Sequence, residues 1–181
     1  MFAKLFSQLY RLITSPDIMW KELAPEKESG NENFYRNYFH VATGVIALAS
    51  FLGAILTGNT FPAALKTVLG EIFIFFFGFY IAAYTIRYLS KRYNIELQSR
   101  VCEKYVGYAS AAVYLSAIPA ALFPALSILR LLALYSFVIA KKGTTHYLGV
   151  TEDNEKFAFA ASTVIVILPF LLRGLLYVAT Q

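Results

Sequence analysis

The sequence predicts an all-α, polytopic membrane helix bundle: five transmembrane helices preceded by N-terminal amphipathic interfacial helices. Three observations predict it. Of 181 residues, 58% are hydrophobic and only 15% charged, whereas a soluble domain is about 25% charged. Five apolar segments recur, near 37–56, 62–89, 105–121, 124–140 and 157–179. Each approaches or exceeds the length that carries a helix across about 30 Å of hydrocarbon. Finally, the basic residues fall in alternate connections. The chain divides into an interfacial segment, 1–33, and a five-span bundle, 34–181.

The first element is "FAKLFSQLYRLI". Phe2, Leu5, Phe6, Leu9 and Ile13 recur at helical spacing, with Lys4, Ser7, Gln8 and Arg11 largely elsewhere around the helix. Such a helix is expected to lie in the membrane interface. Lys4 and Arg11 break the apolar core that a cleaved signal needs, so none is expected. "SPD" follows, a start signal: Ser15 as cap, Pro16 in the first turn, Asp17 at the positive end of the helix dipole. The second short helix carries Trp20, the only tryptophan, expected as an interfacial anchor. "PEKESGNEN" is polar and turn-rich, a linker.

Lys4, Arg11, Lys21, Lys27 and Arg36 precede the first span. Lys91, Arg92, Arg100 and Lys104 separate the second and third. Lys141, Lys142 and Lys156 separate the fourth and fifth. "TGNTF" and "IPAALFP" carry no Lys or Arg. Five spans then put the N-terminus in the cytoplasm and the C-terminus outside, with a bacterial inner (plasma) membrane as the expected location. Pro119 and Pro124 make the third and fourth segments a tight hairpin. A re-entrant hairpin there would give an even number of spans and a C-terminus inside.

The second span contains a carboxylate. At about 100° per residue, Thr67, Glu71, Gly78, Ala82 and Thr85 fall near one line, with Phe73, Phe76, Phe77 and Tyr80 opposite. Small residues suit helix contact and large apolar ones suit lipid, so Glu71 is expected to face the bundle interior. Arg130 in the fourth segment and Arg173 in the fifth are its expected partners, with Lys66 near enough to the boundary to snorkel. An ionised side chain at membrane depth costs at least a few kcal/mol unless paired or wet. Two arginines against one carboxylate leave positive charge over, which suits an anion or a lipid phosphate. The same residues serve equally as a structural tie that fixes helix register.

His40 shares a small-polar face with Thr43, Gly44, Ala47 and Ala54. It is either an interfacial hydrogen-bonder or a group titrating near neutral pH. His146 lies in "KKGTTHYLGVTEDNEK", expected as a solvated loop or a partner-binding one. Two distant histidines and one cysteine, Cys102, offer no zinc pattern and no triad spacing. No catalytic residue, metal or cofactor is implied. Gly44, Ala47, Gly53 and Ala54 offer small surfaces for self-association or for contact within the chain. Net charge +5 reflects the inner-facing basic loops; nucleic acid is not needed to explain it, and anionic lipid is the simpler expected partner.

The order of features resembles the Ypt-interacting protein (Yip) domain family in its bacterial form. The resemblance lies in "LYRLITSPDIMWKELA", in the five-span pattern, and in "LLALYSFVIAKKGTTHYLGVTEDNEKFAFAASTVIVIL". It implies a helical membrane protein with a cytoplasmic N-terminus. Eukaryotic members of that family are associated with Rab-type GTPases and vesicle traffic between endoplasmic reticulum and Golgi; with only the short segment ending near Arg36 ahead of the first span, GTPase binding is not expected of this sequence.

Three functions follow as expectations. The first is non-enzymatic: organising membrane or recruiting a protein partner through the cytoplasmic face. The second is a small transporter or channel using Glu71, Arg130 and Arg173. The third is anionic-lipid binding by the two arginines.

Overall fold

The computed structural model describes residues 2–151 and 154–179, and among these it contains helices and no strand. Two short helices come first, α1 (Phe2–Thr14) and α2 (Pro16–Leu23). Then follow α3 (Glu32–Leu56) and α4 (Phe61–Arg92), α5 (Ser99–Ala109), α6 (Ala111–Leu122), a 3-10 segment (Pro124–Tyr135), α7 (Ser136–His146) and α8 (Glu155–Ala179). Within α3, Tyr35–Phe39 form one wide π turn.

Three of these helices, α3, α4 and α8, are long and apolar enough to cross a membrane. A fourth crossing arises if α5 and α6, bent by 47°, count as one broken span. The five separate spanning helices expected from the sequence therefore reduce to three or four. The backbone around the prolines is the reason. Pro119 sits inside α6, and Phe123 is extended (φ −126°, ψ 92°), which ends it. Pro124 then opens a 3-10 segment instead of an α-helix, with a non-helical ψ of 18° at Leu126. The fourth apolar segment is thus split between two helix types.

Helix α3 packs along α4 and α6, α4 along α5 and α8, and α7 along α8 and α2. Close crossings depend on glycine. A Cβ on Gly53 would collide with the backbone oxygen of Ala121, so α3 and α6 meet main chain to main chain. A Cβ on Gly143 would lie 2.6 Å from the Trp20 ring. The core is aromatic: Phe34, Tyr38, Phe39, Phe79 and Tyr108 are all buried, and the Phe39 and Phe79 rings lie 4.1 Å apart.

The side chains expected at the membrane interface divide. Leu5, Leu9 and Trp20 are completely buried within the protein, Ile13 is half-buried, and Phe2 and Phe6 are exposed. Helix α1 turns its leucine stripe, Leu12 included, onto the bundle. It leaves a neighbouring stripe of Phe2, Phe6 and Tyr10 outside. Trp20 is therefore a core residue, not a surface anchor. Its indole Nε1 donates to the Ile139 carbonyl at 2.9 Å, and Tyr105 donates to the next carbonyl, Ala140, at 2.9 Å. A buried indole N–H needs such a partner, and α7 supplies it.

Candidate functional site

The line of small residues on α4 places Glu71 inside the bundle. Glu71, Gly78 and Ala82 are buried, whereas Phe73, Phe77 and Tyr80 on the other side are exposed. Arg173 of α8 grips the carboxylate with both terminal nitrogens: Nη1 donates to Oε1 at 2.7 Å and Nη2 to Oε2 at 2.6 Å. Arg130, from the 3-10 segment, brings Nη2 to 3.7 Å from Oε1. One carboxylate therefore joins three elements, and the expected partners both arrive. The two guanidinium groups are not equivalent. The paired fork–fork geometry of Arg173 is the strong form of this interaction, while Arg130 stands at ion-pair distance, its buried Nε without a hydrogen-bond partner among the described residues.

The cluster carries one net positive charge. Beside it lies a cavity of about 30 Å³ lined by Arg130, Arg173, Ser116 and apolar neighbours, which is room for a water or two. A second, of about 20 Å³, lies among Phe75, Gly78, Ile165 and Pro169. Lys66 stands apart: it is exposed on α4 and forms no ion pair among the described residues. His40 is exposed too, stacked on Phe76 at 5.9 Å and on Tyr35 at 5.6 Å. It belongs to an aromatic stack, away from Glu71's partners.

At the basic end of the bundle the structure assembles groups that sequence reasoning did not join. Asp17 of α2 accepts from Lys142 at 3.1 Å and lies 2.9 Å from His146 Nε2. His146 thus ends α7 and docks α2, where the sequence suggested a solvated loop. The Lys142 ammonium, and after it His146, hold the Asp17 carboxyl below the usual carboxylate range. The spacing of Lys142 and His146, four residues apart on one helix face, was the available signal. Glu103 accepts from Tyr35 at 2.9 Å, from Ser99 at 3.2 Å and from Asn31. Lys104, one residue on, is buried, and its Nζ donates to the Glu26 carbonyl at 2.6 Å, the Ser29 carbonyl at 2.9 Å and Ser29 Oγ at 2.8 Å. Nothing local marks that lysine as buried, because its acceptors lie more than 70 positions earlier in the chain.

A family model described as the Yip1 domain matches residues 10–174, nearly the whole bundle. The chain belongs to the Yip1 domain family. No match to a curated protein or to a solved structure was found. The Yip1 match begins near the end of α1 and ends in α8, so α2, the Glu71 cluster and the Asp17 contacts lie inside the matched residues, and most of α1 precedes them.

Proposed function

We propose that this Yip1-family protein is a non-enzymatic multi-pass membrane protein that organises membrane, or recruits a partner, through its basic, cytoplasmic end. The observation that carries the reading is the division of α1. Its leucines hold it to the bundle, yet Phe2, Phe6 and Tyr10 remain exposed beside the cationic Lys4 and Arg11. An apolar ridge flanked by basic residues suits the boundary between headgroups and acyl chains. The docked leucines fix that ridge in place, so α1 does not have to fold on contact with lipid.

In this reading the chain crosses the bilayer five times, with the N-terminus in the cytoplasm and the C-terminus outside. A 3-10 helix rises about 2.0 Å per residue. Pro124–Tyr135, continued to Ala140 as α-helix, then extends roughly 30 Å, the thickness of the hydrocarbon. The three basic connections then fall on one side, which supports a cytoplasmic N-terminus, and a bacterial plasma membrane is the location we propose.

The test is the variant Phe2→Ser/Phe6→Ser/Tyr10→Ser, which spares the leucine stripe. Reconstituted into vesicles containing anionic lipid, the wild type should change vesicle shape or recover a protein partner, and the variant should not. An unchanged variant would remove the basis of the reading.

The Glu71 cluster favours a structural tie over a conduit, because its adjoining cavities hold water at most. Proteoliposomes should show no ion or proton flux dependent on Glu71. Flux abolished by Glu71→Gln in a folded protein would instead support a transporter.

A further inference from the structure

A polar cavity of about 450 Å³ opens at the basic end, between α1, the 26–30 turn, the start of α3 and α5. That is the size range of small-molecule sites. We propose that it binds a phosphate group, carried either by a lipid headgroup or by a soluble phosphate.

Three observations support this. The first is Lys104. It is 3% exposed, and all its hydrogen bonds go to neutral oxygens. Among the described residues it forms no ion pair. A buried cation is costly without a counter-charge, and here its direct partners are dipoles, with the Glu26 carboxylate acting on it from beyond ion-pair distance. The second is the wall. Lys4 on α1 adds another cation, Gln8, Asn33 and Asn37 add amide donors, and Glu26 is the only carboxylate. The lining therefore keeps one net positive charge. The third is Tyr38, which lines the cavity and is 1% exposed. Among the described residues its buried hydroxyl has no hydrogen-bond partner.

Phosphate fits this set because it brings negative charge and several acceptor oxygens together. Of the three acceptors on Lys104, only Ser29 Oγ sits on a rotatable side chain. It is the one an incoming phosphate oxygen replaces. Lys4 and Gln8 ride on the same helix as the exposed aromatic ridge, so a filled site would also hold α1 in position. The site does not depend on the membrane-organising reading, since binding is measured without vesicles.

The experiment uses the full chain in an uncharged detergent. Trp20 is the only tryptophan; its ring lies 6.2 Å from that of Tyr108, a cavity residue, so its emission reports on the site. Inorganic phosphate and dihexanoyl phosphatidic acid are titrated separately, each against chloride at matched ionic strength. Saturable change with both probes shows that the phosphate group is sufficient. Saturation with the lipid alone assigns the site to a headgroup. Saturation with neither overturns the proposal.

Lys104→Met should abolish the response. Because Lys104 also ties the 26–29 turn, the exposed Lys4→Glu is the second variant. It should weaken binding by about tenfold or more, as expected for roughly 1.4 kcal/mol. Unchanged affinity in folded Lys4→Glu would overturn the proposal as well.

Discussion

Glu71 and Asp17 each hold one carboxylate between two basic side chains, but in opposite surroundings. The Glu71 side chain is 8% exposed and faces Arg173 and Arg130. The Asp17 side chain is 44% exposed and faces Lys142 and His146. The two-partner geometry is alike; solvation is not. Water screens the Asp17 group and offers it other partners, so its net worth is small. Inside the bundle the adjoining cavity has room for a water or two at most, and loss of one partner strands the others. The same arrangement is a strong joint in one place and an adjustable contact in the other.

The largest expected effect tests the buried side of this contrast. Glu71→Gln should destabilise the protein by about 3–5 kcal/mol, because two guanidinium groups then lose their counter-charge. Chemical unfolding in detergent measures it, and a loss below about 1 kcal/mol would put Glu71 on a par with Asp17. Next comes the inequality of the arginines. Arg173→Met should cost more than Arg130→Met, since Arg173 holds both carboxylate oxygens and Arg130 none at hydrogen-bond distance. Removing Arg130 also removes the surplus charge, so its cost should stay within about 1–2 kcal/mol. Equal losses would mean that the two share Glu71 evenly. Asp17→Asn should then cost less than about 1 kcal/mol, and that cost should shrink as salt is raised.

The smallest effect is one of pH. Asp17 has a lowered pKa in the folded protein. Its stabilisation is therefore complete above the ordinary aspartate value near 3.9 and is lost as pH falls through the lower folded value. Acidification through that window should loosen α2 from α7 and shift the emission of Trp20. Asp17→Asn should flatten that response; an identical shift in the variant would assign it to other groups.

Much of the buried cluster was legible in the sequence. A carboxylate in an apolar run is rare, helical spacing identifies its face, and the arginines in later spans were the natural counter-charges. The fate of Trp20 was not legible. An interfacial tryptophan and a buried one have the same short-range context, and what decides between them is Gly143, over 120 positions later, leaving room for the ring. Lys66 shows the converse: proximity in sequence to Glu71 carried no contact, because five residues along α4 turn it outward. The structure offers three or four helices long and apolar enough to span, not clearly five, because hydropathy registers how apolar a segment is, not which helix it forms. Pro124–Tyr135 is apolar enough to count, but its geometry departs from the α-helix that the count assumes.

That geometry has a torsional consequence. Three residues per turn stack Ser127, Arg130, Ala133 and Ser136 in a straight row. Rewinding the same stretch to 3.6 residues per turn would swing Arg130 by roughly 120° relative to Ser136. The guanidinium would then leave Glu71, while Arg173, on a separate helix, would keep its grip. The twist of one segment and the sharing of one carboxylate are thus a single mechanical variable, with Arg130 as its pointer.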